Sequence, residues 1–225
     1  YSHNFQTTAR SDATTMYPGF LILIIVLSYV LLRSVSASLI SLIIIFLSIL
    51  PSMGMAGWLG FEAQPPLIIA PILILTIALA HAVHILSIAL TNLNEGKSKV
   101  ESITESLKIN MTPVFLTSLT TAVGVAGVNF GKIPAFSEMA NTVVIGSAIS
   151  FALSVILLPI LFMIMPIKSH RKSSMVLNGL KILGDTIYKF KFYFITVIGL
   201  ASILLVNLIP NLYFDDDFDS YFDRV

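Results

Sequence analysis

Between Glu62 and Glu95 the chain carries no aspartate, glutamate, lysine or arginine. The middle of that interval, Pro66 to Thr91, is apolar apart from a few hydroxyls and two histidines. A helix crosses a hydrocarbon core with about 20 such residues, and a soluble helix seldom sustains so long an apolar run. Inside lipid every backbone group must find its partner within the protein, so the run reads as a membrane-spanning helix. The rest of the chain agrees. It is 56% hydrophobic and 11% charged, against roughly 25% charged in soluble domains.

Six segments have this character. They fall at about 17–34, 35–59, 66–91, 111–130, 139–166 and 192–210. The apolar residues run continuously rather than alternating, which argues against a β-barrel. The expected fold is therefore an all-α integral membrane bundle of six helices. Residues 17–166 form a five-helix core, 167–191 a basic amphipathic cytoplasmic linker, and 192–210 the sixth span. Residues 1–16 read as the tail of one external domain and 211–225 as the opening of a second. The polar start at Tyr1 and the acidic finish around Asp215, Asp216 and Asp217 suggest a segment of a longer polypeptide.

Lysine and arginine set the expected orientation. Arg33 follows the first segment, and Lys97, Lys99 and Lys108 follow the third. Lys168, Arg171, Lys172, Lys181, Lys189 and Lys191 follow the fifth. The positive-inside rule places these in the cytoplasm and both chain ends outside. Two stretches, 98–109 and 174–190, have the apolar stripe of short interfacial helices. The first shows Val100, Ile103 and Leu107 on one face. Pro65 and Pro66 fit a helix start, as do Thr112 and Pro113. Pro71 and Pro159 fall inside spans, where kinks are expected.

At about 100° per residue, Thr76, His81, His84, Ser87 and Thr91 lie within roughly 140° of arc on the third span. On the fourth, Thr117, Thr120 and Thr121 share a face with Gly124 and Gly127. On the fifth, Ser147, Ser150 and Ser154 line up with Gly146. Small hydroxylated faces permit close packing and interhelical hydrogen bonds, so the three faces are expected to turn toward one another as the polar lining of the bundle. An ionisable group at mid-membrane depth is costly and marks a functional candidate. His81 and His84 are the candidates for proton binding, since imidazole ordinarily titrates near pH 6.5. The alternative is that both are neutral and bonded to nearby hydroxyls.

No metal site is expected, because His81-x-x-His84 supplies two ligands and the spans offer no third. The chain has no cysteine, which removes disulfides and thiolate chemistry. No nucleophile–base constellation or phosphate-binding loop suggests an enzyme, and no cofactor is expected. Nothing basic and aromatic suggests nucleic-acid binding.

The run Pro66-Leu67-Ile68-Ile69-Ala70-Pro71 leading into Ala80-His81-Ala82-Val83-His84-Ile85-Leu86 resembles the fourth membrane helix of resistance–nodulation–division (RND) exporters. The nearest resemblance is to the MMPL, hydrophobe/amphiphile exporter branch, whose membrane core resembles sterol-sensing domains. Thr112-Pro113-Val114-Phe115-Leu116-Thr117-Ser118-Leu119-Thr120-Thr121-Ala122-Val123-Gly124 and Gly146-Ser147-Ala148-Ile149-Ser150 support it. The resemblance implies twelve spans in two halves, of which these would be the second to the seventh. It also implies proton-driven export of lipids or other hydrophobic molecules across a bacterial inner membrane. Membrane lipids, an amphiphilic substrate and the remainder of the polypeptide would be the partners, with a homo-oligomer open. Many relatives carry an aspartate where His81 stands, so either His81 takes over proton coupling or coupling is lost. A lipid- or sterol-sensing module that binds without transport is the alternative function.

Overall fold

In the computed structural model, residues 18–131, 133–167 and 186–208 are described. They are helical almost throughout. The helices are α1 (Pro18–Leu32), α2 (Val35–Trp58), α3 (Pro65–Asn94), α4 (Lys99–Ala126), α5 (Pro134–Ile164) and α6 (Lys191–Leu208). Four of them, α2 to α5, are long and apolar enough to cross a membrane, and α1 and α6 are shorter apolar helices. The expected external tails and most of the linker, including the stretch 174–185, lie outside the described residues.

Local chemistry sets the helix starts. Ser34 caps α2, its hydroxyl accepting from the Ala37 amide at 3.4 Å. Arg33, just before it, takes a left-handed φ of 49° to reverse the chain after α1. Proline opens both α3 and α5, where its missing N–H is no loss. For α5 this puts the start at Pro134, earlier than the expected 139. Ser98 and Glu101 form a reciprocal capping box at the head of α4, satisfying two amides that a bare helix end leaves open.

That box corrects one expectation. Residues 98–109 do not make a separate interfacial helix, and Pro113 does not start a new one. The helix runs unbroken from Lys99 through Pro113 to Ala126, followed by a 3₁₀ turn, Gly127–Phe130. The reason is packing. Ser102, Ile103, Ser106 and Asn110 are buried, and the Ser106 hydroxyl donates to the Ile85 carbonyl of α3 at 2.5 Å. Of the expected face, Ile103 is buried and Leu107 packs half-buried against the main core, whereas Val100 is 56% exposed.

Helices α3 and α5 pack against each other at the centre, with α2 on one flank and α4 on the other. The contact is close at Gly146. A Cβ there would overlap the side chain of Ile74. The main apolar core gathers Ile40, Ile44, Ile85, Leu86, Leu158 and Phe162. The hairpin of α1 and α2 is joined by the buried hydroxyl pair Ser28 and Ser41, 2.5 Å apart. At the lysine-bearing end, Lys99 Nζ donates to the Met165 and Met163 carbonyls of α5 at 2.7 and 3.3 Å. Ser36 donates to the Pro166 carbonyl at 2.7 Å. These bonds tie the ends of α2, α4 and α5 together. Helix α6 belongs to a second unit, separate from that of α1 to α5.

Candidate functional site: a buried histidine between two serines

The centre of the bundle is His81, close to the middle of the 30-residue α3 and only 1% exposed. Its Nδ1 lies 3.1 Å from Oγ of Ser150 on α5. Its Nε2 lies 3.1 Å from Oγ of Ser118 on α4. Ser147 on α5 closes the ring by donating to the Ser118 carbonyl at 3.2 Å. All four residues are buried. One imidazole thus joins three helices, and each of its nitrogens has a hydroxyl partner. Hydroxyls both donate and accept, so the site can hold the ring either neutral or protonated. No lysine, arginine or carboxylate takes part in it. Among the described residues no group of three metal-ligating side chains forms.

Ser118 was not among the expected lining residues. The serines of α5 are where expected, with Ser147, Ser150 and Ser154 buried beside Gly146. The threonines of α4 are not. Thr117 and Thr120 are exposed, and their hydroxyls return to their own helix, donating to the Pro113 and Leu116 carbonyls at 2.8 Å. Thr121 is half-buried. The inward face of α4 is instead Ser102, Ser106, Asn110, Val114 and Ser118. These recur every four residues, the row that stays on one side of a helix. That spacing was the signal in the sequence.

Helix α3 divides likewise. His81 turns inward, whereas Thr76 and His84 are exposed and Ser87 and Thr91 half-buried. Thr76 and Thr91 donate to the Leu73 and Ser87 carbonyls of their own helix at 2.8 Å. The two histidines, about 60° apart around the axis, therefore look toward different surroundings.

A second feature lies beside α1. Phe20 and Leu21 of α1, Phe46, Ile49 and Leu50 of α2, and Pro71, Ile72 and Leu75 of α3 surround an apolar slot of about 260 Å³. Its lining presents almost no polar surface.

Comparison with known families decides what kind of bundle this is. The model described as the sterol-sensing domain of SREBP cleavage-activation matches residues 32–179. The chain belongs to the sterol-sensing domain family. The match contains the whole of α2 to α5, so the His81 site lies in the sterol-sensing domain itself. The chain is a multi-pass membrane module of that family. Among curated proteins nothing matches it.

Proposed function

We propose that this sterol-sensing domain module is the membrane core of an RND-type, MMPL-like exporter. It moves lipids or other hydrophobic or amphiphilic molecules, driven by protons, and His81 is the group that gains and loses the proton. In this reading α1 and α6 complete six spans in an inner membrane, and the lysine-bearing ends face the cytoplasm. The observation that carries the proposal is His81 itself. It is an ionisable ring buried at mid-membrane depth, bonded to α4 and α5 at once through groups that serve both of its protonation states. Buried ionisable side chains inside membranes are expensive and mark ion and proton pathways. Taking up a proton changes what the ring asks of Ser118 and Ser150, and so biases how α3, α4 and α5 sit together.

The test uses the intact protein in proteoliposomes with an imposed pH gradient. His81→Gln keeps a side chain that bonds hydroxyls but cannot titrate. It should insert normally and lose gradient-driven efflux. His81→Ala should lose it as well. Unchanged efflux across a pH series in both variants would overturn the proposal.

The slot favours a second reading, a lipid-sensing module that binds without transport. At about 260 Å³ it is smaller than the roughly 300–1,000 Å³ of drug-sized sites, so it accepts one acyl chain or one edge of a sterol. Ile49→Trp would fill it. Under this reading that variant loses cross-linking to a photoreactive lipid or sterol, and His81→Gln leaves the cross-linking unchanged.

A further inference from the structure

Several buried hydroxyls of the bundle return to a carbonyl of their own helix, as those of Ser48 and Ser52 on α2 and Thr142 on α5 do. Ser102 on α4 and Ser154 on α5 behave differently. Both are completely buried, and neither hydroxyl has a hydrogen-bond partner among the described residues. A buried hydroxyl left unbonded is costly, and a bound water removes that cost.

Their positions give these two hydroxyls a meaning. Between His81 and the lysine-bearing end, the interior holds a column of polar groups. It starts at an open cleft of about 600 Å³ whose walls include Lys97, Glu105 and Lys108. Lys97 pairs there with Glu105 and donates to Oδ1 of Asn92 at 3.2 Å. The Asn92 amide donates to the Ser102 carbonyl at 3.4 Å. One turn further along α4, the Ser106 hydroxyl donates to the Ile85 carbonyl and accepts from the Asn110 amide at 3.3 Å. At the inner end Ser150 meets His81.

The column has two breaks, one between Asn92 and Ser106 and one between Asn110 and Ser150. Ser102 stands at the first, one turn from Ser106 on the same side of α4. Ser154 stands at the second. Ile74 meets Gly146 and His81 meets Ser150, so α3 and α5 run in the same direction. Ser154 is therefore one turn beyond Ser150, as Ile85 is one turn beyond His81. Ser118 meets His81 and Ser106 meets Ile85, so α4 runs the other way and brings Asn110 to the same height. Each break is thus flanked by hydroxyl and amide groups, in keeping with the two to four partners, roughly, that an internal water takes.

Toward the opposite end the interior changes character. The buried residues of α3 before His81 are Leu67, Ala70, Ile74, Leu75, Ala78 and Leu79. Those of α5 before Gly146 are apolar except Thr142, whose hydroxyl is spent on the Glu138 carbonyl. Helix α4 buries no residue beyond Ser118.

We propose that Ser102 and Ser154 each hold an internal water, and that the two waters complete a hydrated column from the Lys97–Glu105 cleft to His81. From Asn92 to His81 it spans about 16 Å of α3, and His81 meets water from that end alone. Ser38, a further buried hydroxyl without a partner among the described residues, stands apart on α2, which does not touch α4. The charged groups of α4, namely Lys99, Glu101, Glu105 and Lys108, belong to the mouth of the column with Lys97. Helix α2 has no titratable group, α5 has only Glu138 at the far end, and α3 adds His84, which is exposed. The column does not depend on proton-driven export, since it connects His81 to one aqueous phase whether the module transports or only binds.

The test is hydrogen–deuterium exchange at Cε1 of His81, read by mass spectrometry on the full-length protein in lipid nanodiscs. This exchange needs water at the ring. His81 of the parent should exchange over days in spite of its burial; a ring that takes up no deuterium is dry and overturns the proposal. Ser102→Ala and Ser154→Ala should each slow the exchange at least about fivefold, the worth of one lost hydrogen bond. Ser52→Ala, on the outer half of α2, should leave it unchanged. Equal rates in the parent and all three variants would mean that water arrives by another route, and slowing by Ser154→Ala without slowing by Ser102→Ala would place the entrance elsewhere. Either result overturns the proposal. Thermal unfolding gives a second readout. Removing a hydroxyl that holds a water should not raise the midpoint, whereas a rise of several degrees in both alanine variants would show the hydroxyls to be unbonded and overturn the assignment. The parent measurement needs no variant, so it stays decisive where a variant does not fold.

Discussion

Gly146 governs how near α3 and α5 can come. Any side chain there meets Ile74, which is fully buried and, being β-branched, has few rotamers to retreat to. Gly146→Ala should destabilise the bundle by about 1–3 kcal/mol, the usual cost of overpacking, read by unfolding in mixed micelles. Gly146→Ala with Ile74→Ala should recover most of the loss. If the single variant is as stable as the parent, the close α3–α5 contact is wrong. Residue-level legibility was uneven. The sequence singled out both histidines, but 60° of helix separates an inward ring from an outward one, and the phase of α3 is set by its neighbours. The decisive neighbour, Ser118, was passed over because threonines and glycines beside it made a more conspicuous polar face.

Among the elements, α4 departs furthest from its sequence expectation. Its first turns look amphipathic, and Thr112-Pro113 looks like a start. The helix nevertheless begins at the Ser98 cap and continues through Pro113, because Ser102, Ser106 and Asn110 dock on the inside of the bundle. Serine on a buried face reads as polar in any hydropathy pattern, so the pattern found Ile103 and Leu107 but missed the buried serines beside them. The stronger start signal, serine followed three residues later by glutamate, was present and local. Ser98→Ala should weaken the head of α4 by roughly 0.5–2 kcal/mol, seen as faster amide exchange confined to its first turns. Lys99 acts at the far end of another helix. Its ammonium meets carbonyls that the end of α5 leaves unbonded, where a cation also suits the helix dipole. Lys99→Met should cost about 1 kcal/mol and raise protease sensitivity after Met165. Unchanged cleavage there would show that α5 does not need this clasp.

For the molecule as a whole, the all-helical membrane class and the four long spans were legible from apolar run length alone, since lipid leaves the backbone so few options. Sidedness is an expectation from lysine placement, and scanning cysteines can check it. Ser98→Cys should react with an impermeant reagent only from the cytoplasmic side, and Ala63→Cys only from the other. The reverse result would invert every assignment of inside and outside made from the charges. Packing was less legible, because which of several small, hydroxylated faces turn inward is decided by mutual fit rather than by any one helix. The pair of hydroxyls around His81 has one more consequence. Ser118 and Ser150 can each rotate to give or to receive, so the two tautomers of the neutral ring are equally well served. A proton entering at Nε2 beside α4 and another leaving at Nδ1 beside α5 would return the ring to neutrality with every heavy atom in place. In the proton-driven reading proposed above, the histidine would be a relay between two helices, its direction set by whichever serine finds the next acceptor.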